Sequence, residues 1–382
     1  MVNRVDSRTP AEVFPPGEFI SDEITARGWS QVELADILGR PARLISELIA
    51  GKRAITPETA MGLGAAFGTG PQFWMNLERD YQLSRAVHDD RAVARKAHLY
   101  TKAPVKEMIK RGWIEGSDNV EVLEKRIKGF FHIDTLEEEP QLAHAARKSD
   151  YAAITASQWA WVFRVKQLAE ECSVSRFSHA ALEAAIPKLE ALLVAPEESR
   201  HVPRILSECG VRFIVVEKLP HGGIDGVCCW IDDAPVIGMS LRRDKIDKFW
   251  FVLRHELEHV LRGHGKSSGG VIDVDLEGVR AGTGDDLPEE ERVANQAASN
   301  FCAPSDKLTN FMKRKHPFYY ERDVVAFARL VGRHPGLIVG QMQFRLDNYA
   351  YLAKHLARVR HAVVTGCIVD GWGQSPSFCK FI

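Results

Sequence analysis

The stretch FWFVLRHELEHVLRGH, Phe249 to His264, sets two histidines and a glutamate into a segment otherwise rich in apolar residues: Phe249, Trp250, Phe251, Val252, Leu253, Leu257, Val260 and Leu261. The apolar residues recur at helical spacing, so the stretch predicts a helix built for burial. Imidazoles and carboxylates taken out of water are costly unless something pairs with them. A satisfied ion pair and a bound metal both answer that cost. His255 and His259 stand at i and i+4 on one helical face, within reach of one cation, and Glu256 stands beside them, placed to take a proton from a water. Catalytic zinc takes three protein ligands and keeps one position open, so a third ligand is required.

The next helix offers one. Pro288 suits a first helical turn, and EEERVANQAASNFC runs from there to a stop at Pro304. Glu291 can ligate, and Asn295, one turn later, can accept an N–H from a ligand histidine. Glu289 and Glu290 read as charges that complement the helix dipole. Arg254, Glu258 and Arg262 read as a solvated face.

Outward from this pair the period changes. VRFIVVE, from Val211, predicts a strand, and GVCCWIDDAPVIGMSL predicts two more around a turn at Asp232 and Asp233, so a small sheet precedes the histidine-bearing helix. Between the two helices, Gly263 to Leu287 holds seven glycines and a short VIDVDL strand, and reads as a lid that moves to admit substrate. Two or three helices follow to about Ala362, and residues 363–382 read as an irregular tail. Upstream, 83–194 reads as a charged helical connector and partner surface with a hinge at HIDTLEEEPQ. From Pro16 to Tyr81 five short helices follow one another, with Ser30 and Thr56 as N-caps and glycines closing most of them. The expected plan is α+β and mainly α: a five-helix domain over 11–82, the connector over 83–194, a site-bearing domain with a small sheet over 195–362, and the tail.

Fifty basic and fifty-one acidic residues leave a net charge of −1, so no global field draws the 382-residue chain to nucleic acid or membrane, and any such contact must be local. The seven cysteines are scattered, with no CxxC pair, which argues against a disulfide scaffold and for a reducing compartment. The first residues are polar and proline-broken, and no apolar run reaches membrane length. A cytoplasmic protein with no membrane partner is expected.

Together, GGIDG, SLRRDKIDKFWFVLRHELEHVL, the ExxAN helix ending FCAP, and HPGLIVGQMQ make the region from about Ala195 to Gln343 resemble the ImmA/IrrE metallopeptidases. The resemblance implies a gluzincin-like fold, a Zn2+ cofactor held by His255, His259 and Glu291, and Glu256 as the catalytic base. It also implies cleavage of a helix-turn-helix repressor under stress or mobile-element control. Two positions depart from the family pattern: Glu258, where glycine is common, and Ala297, where phenylalanine is frequent. An oxyanion partner is not identified; His221, His264, Tyr319 and Tyr320 stay open for that role.

SQVELADILGRPARLISELIAGKRAIT has the helix, glycine-containing turn and second helix of a helix-turn-helix. With its flanks, through GTGPQFW, residues 16–82 resemble the HigA-type, Xre-like antitoxin domain. That resemblance implies a homodimer on double-stranded operator DNA, autoregulation, and neutralisation of a ribonuclease toxin. Gln31, Arg43, Ser46, Lys52 and Arg53 are placed for phosphates or base edges. Residues 1–82 nevertheless hold eleven acids against eight bases, and Glu47 lies in the reading helix, so a dimerisation or sensor head stays open. Two functions follow: a zinc endopeptidase with a DNA-binding head that cuts a repressor, or an antitoxin-like regulator whose metallopeptidase-like domain senses or binds a toxin without turnover.

Overall fold

The computed structural model describes residues 13–86, 90–138, 147–148, 154–266, 271–274 and 288–373. The chain divides into two units at Val93/Ala94. The first holds α1 (Pro16–Arg27), α2 (Gln31–Leu38), α3 (Ala42–Ile49), α4 (Pro57–Phe67) and α5 (Pro71–Arg85). Ser30 accepts from the Glu33 amide while the Glu33 carboxylate takes the Ser30 amide, a reciprocal cap that starts α2; Thr56 caps α4. Gly28, Gly39 and Gly68 end α1, α2 and α4 in the left-handed conformation, which a Cβ would strain. These short helices close on Ile20, Leu34, Ile45, Leu63 and Trp74, all fully buried, and the Trp74 indole N–H donates to Thr69 Oγ1 at 2.9 Å.

The chain continues through α6 (Asp90–Lys102), α7 (Val105–Lys110), α8 (Val120–Phe131), β1 (Arg147–Lys148), α9 (Ala156–Glu170), α10 (His179–Ala191), α11 (Val202–Glu208), β2 (Arg212–Val216), β3 (Ile224–Ile231), β4 (Ala234–Met239), α12 (Ile246–Arg262), β5 (Val271–Val274), α13 (Glu289–Cys302), α14 (Ser305–Lys315), α15 (Glu321–Leu330), α16 (Pro335–Leu346), α17 (Arg360–Val363) and β6 (Ile368–Asp370). The sheet is mixed, in the order β1-β5-β3-β4-β2-β6; β2 to β5 make up most of it, and β1 and β6 are short edge pieces. The hairpin β3–β4 is antiparallel, with Ile231 opposite Ala234, and β2 runs parallel to β4 and β6.

β2 is apolar on both faces because both are covered. Ile214 and Val216 pack with Met108, Ile127, Phe131, Trp161 and Phe163 of α7, α8 and α9, while Phe213 and Val215 pack with Leu182, Leu189, Trp250 and Leu253 of α10 and α12. Helices from the stretch 83–194 therefore share a core with the sheet on both of its sides. Helices α14 to α16 form a separate cluster around Leu308, Phe311, Val324, Phe327 and Ile338.

The tail reading is corrected in part. Residues 368–370 form β6, registered Ile214↔Ile368 along β2. A three-residue strand is too short to show a period, and it exists because the edge of β2 supplies the hydrogen-bonding partner. The proposed lid falls largely on residues 267–270 and 275–287, outside the described residues.

Candidate metal centre and nucleic-acid interface

α12 is amphipathic in an unusual sense, since its polar motif is buried along with its apolar face. His255, Glu256 and His259 are 0% exposed and Glu291 of α13 is 3% exposed. The His255 and His259 Nε2 atoms lie 3.0 Å apart, His255 Nε2 lies 3.3 Å from Glu291 Oε2, and His259 Nε2 lies 3.5 Å from Glu291 Oε1. Ligand atoms about 2.0–2.1 Å from a tetrahedral zinc sit roughly 3.3 Å from one another. The three groups thus fit one zinc-sized cation, and two imidazoles with a carboxylate are a donor set suited to it.

The far nitrogens of the two rings are also engaged. His255 Nδ1 lies 3.0 Å from Asn295 Oδ1; an amide oxygen only accepts, so Nδ1 donates and a neutral ring keeps its lone pair on Nε2, facing the cluster. His259 Nδ1 lies 2.9 Å from His264 Nδ1. The path that brings His264 there is local. Gly263 closes α12 in the left-handed conformation at φ 68, and the chain turns back until the His264 amide donates to the His259 carbonyl at 2.9 Å. The hairpin tip then holds this turn: Trp230 Nε1 donates to the His264 carbonyl at 3.0 Å, and Lys266 pairs with Asp233 at 2.8 Å. Burial keeps the His264 imidazole below its usual pKa, which favours the neutral ring that can accept the His259 proton. Of the four residues left open as oxyanion partners, His264 is the one that touches this cluster. His221 is exposed, the Tyr319 carbonyl accepts from the Tyr351 hydroxyl, and the Tyr320 ring stacks on Phe318.

Gly226 is the residue that sequence reading passed over. It lies in β3 beside a register irregularity spanning Ile224 and Gly226, and a Cβ built on it would overlap the Glu256 carboxylate. The missing side chain is what allows the acid to lie against the strand. GGIDG carried the signal only as part of a family pattern, because nothing local links position 226 to position 256. Next to it, Asp225 and Arg242 form a paired fork, with Arg242 Nη2 to Asp225 Oδ2 at 2.9 Å.

The solvated-face reading of Arg254, Glu258 and Arg262 is corrected for Arg254 and Glu258, while Arg262 is exposed as that reading expects. Glu258 is 6% exposed and accepts from Arg254 Nη2 at 2.8 Å and Arg262 Nε at 2.9 Å, while Arg254 also lies over the Phe301 ring. Burial pushes the Glu258 carboxyl up, but the two guanidiniums outweigh it and hold the group below its ordinary pKa. The face is covered because α13 packs along α12. Glu258 of α12 and Ala297 of α13 line one cavity of about 440 Å3 there.

In the first unit the candidate DNA contacts are all exposed. Gln31 opens α2, Arg43 and Ser46 lie on α3, and Lys52 and Arg53 follow it. Glu47 sits between the bases: Arg43 Nε donates to its Oε1 at 2.8 Å and Arg53 Nη1 lies 3.6 Å from Oε2. The hydrogen bond from Arg43 is the main reason its pKa is lowered, with help from Arg53 and Lys52. The acid in the reading helix is thus paired within its own surface.

With this geometry in view, comparison with known proteins identifies the first unit. Residues 21–74 match the family described as Helix-turn-helix. The chain is 34% identical over 71 residues to an uncharacterized HTH-type transcriptional regulator of Escherichia coli, covering 19% of this chain and 76% of that protein. It is 33% identical over 79 residues to the virulence-associated protein I of Dichelobacter nodosus, covering 20% of this chain and 73% of the relative. Among solved structures, the Pseudomonas aeruginosa antitoxin HigA with its higBA promoter is 34% identical, with 20% of this chain and 83% of that one covered and a TM-score of 0.19. Through its N-terminal unit the chain belongs to the helix-turn-helix family, an assignment that stands on the sequence matches. Those relatives correspond to about a fifth of the chain. The His255, His259 and Glu291 group lies in the other unit.

Proposed function

We propose that the chain is a zinc-dependent endopeptidase with a DNA-binding, HigA-antitoxin-like head, and that it cuts a helix-turn-helix repressor or related regulator. The observation that carries the enzymatic half is the convergence of three side chains, two imidazoles and one carboxylate, with contacts of 3.0–3.5 Å between α12 and α13 and Glu256 alongside. His255, His259 and Glu291 would hold the ion, which when bound supplies Lewis-acid polarisation of a peptide carbonyl and a more acidic water. Asn295 and His264 hold the two imidazoles in the tautomer that ligates. Glu256 accepts the proton of the attacking water and hands it to the leaving amine nitrogen. Gly226 keeps room for that carboxylate.

The head supports the regulatory half. Its helix-turn-helix match and the relative described as a transcriptional regulator favour operator binding, and a homodimer is the state that the HigA-type resemblance implies. Arg43, Lys52 and Arg53 would meet phosphates, and Gln31 and Ser46 base edges. A ribonuclease toxin is a further candidate partner, and the cytoplasm is the compartment that this reading implies. The test combines metal analysis with intact-mass measurement of the full chain mixed with helix-turn-helix repressors. One zinc per chain and a chelator-sensitive fragment, absent for Glu256→Gln, are expected; cleavage that persists in Glu256→Gln would sink the enzymatic half.

One observation favours a second reading, a regulator that binds metal without turnover: all four site groups are nearly or wholly buried. Under that reading the protein holds zinc and binds its operator, and no repressor is cleaved.

A further inference from the structure

The stretch 305–363, which contains α14 to α17, carries eleven Lys and Arg residues against four Asp and Glu, in a chain whose net charge is −1. None of that excess is used by the His255, His259 and Glu291 group. Two of its four acids are already paired: Glu321 with Lys354 at 2.7 Å and His355 at 2.8 Å, and Asp323 with Lys315 at 3.1 Å. Lys313, Arg314, Arg322, Arg329 and Arg345 have no carboxylate partner among the described residues. Arg345 donates to the Thr309 hydroxyl at 2.9 Å.

The geometry gathers this charge around an aromatic pair. Phe318 and Tyr320 are 66% and 57% exposed, yet their rings lie 6.4 Å apart and 25° from parallel, with the Arg322 guanidinium 5.6 Å from the Tyr320 ring. Neighbouring residues open onto two surface cavities. Tyr319 lines one of about 420 Å3 with Lys313, His316 and Arg345; Tyr320 lines one of about 830 Å3 with Arg322 and Arg329. Exposed ring faces between cationic hollows match a chain whose phosphates seek cations and whose free bases seek stacking partners. A duplex hides its base faces, and an acidic peptide would use the charges and leave the rings idle.

We propose that this surface binds a single-stranded polynucleotide, independently of the helix-turn-helix head. The test is fluorescence anisotropy on the full chain with labelled 20-nucleotide oligo(dT) and oligo(U), a 20-base-pair duplex of unrelated sequence, and polyglutamate or phosphatidylserine vesicles as competitors. The triple variant Lys313→Glu, Arg322→Glu, Arg345→Glu is expected to weaken oligonucleotide binding at least tenfold and lower the log–log salt slope by about two. Phe318→Ala with Tyr320→Ala is expected to weaken it about tenfold with an unchanged salt slope. Arg43→Ala with Arg53→Ala should leave it untouched, and zinc content and thermal melting should match the parent in every variant. Oligo(dT) against oligo(U) tells DNA from RNA. Oligonucleotide binding that survives the triple variant, or that is lost with the head variant, overturns the proposal. So does displacement by polyglutamate or vesicles at equal charge, or a duplex that binds the Arg43→Ala, Arg53→Ala variant as tightly as the single strands do.

Discussion

The first unit carries its candidate chemistry on exposed side chains, and the second buries it. In the head every candidate residue for DNA is exposed, and the core of Ile20, Leu34, Ile45, Leu63 and Trp74 is wholly apolar. In the second unit the candidate groups are themselves core, between 0% and 3% exposed, wedged between α12 and α13. A surface site can be edited without touching the fold; a buried one cannot, because each polar group is also a packing element whose partners would be left unsatisfied.

Substitutions can break or sharpen that contrast, and the largest effect is expected at Glu256. Glu256→Gln should keep metal content near one per chain and lower cleavage by about a thousandfold or more, read by intact-mass kinetics on a cognate repressor. His255→Ala should lose the metal as well, and head affinity for operator DNA should survive both. Next comes Gly226→Ala, whose new methyl group would push against the Glu256 carboxylate. Cleavage should fall about a hundredfold and stability by about 1–3 kcal/mol, with zinc retained; unchanged turnover would mean that the acid does not work from its position against β3. Asn295→Ala and His264→Ala should each weaken zinc affinity about 10–100-fold by freeing a ring, measured by competition with a chelating dye. In the head, Arg43→Ala or Arg53→Ala should lower the salt slope of operator binding by about one and leave melting within about 0.5 kcal/mol. A large stability loss there would undo the exposed-versus-buried distinction. The smallest expected effect is Ser30→Ala, a loss of about 1 kcal/mol confined to the head, from removal of the reciprocal cap on α2.

How much was legible follows the range of the interactions. The five head helices could be read residue by residue, because Ser30, Thr56, Gly28, Gly39 and Gly68 act on backbone groups within a few positions. The i, i+4 spacing of His255 and His259 is equally local. The burial of Glu258 was misread because its cover, α13, lies some forty residues away along the chain. The strand at 368–370 went unseen because its stability belongs to β2, and the returning path of His264 depends on one left-handed glycine and on Trp230 from a distant hairpin.

From its own order, then, the chain determined the helices, their caps, the glycine stops and the residue types able to hold a metal or meet a phosphate. All of these are set by steric and hydrogen-bonding rules that act over one or two turns. Tertiary structure alone decided that Glu291 faces His255 and His259 at ligand spacing, that Asn295 stands behind the His255 ring, and that Gly226 yields space to Glu256. Contacts between residues thirty or more positions apart depend on how whole elements pack, and no local rule encodes that packing.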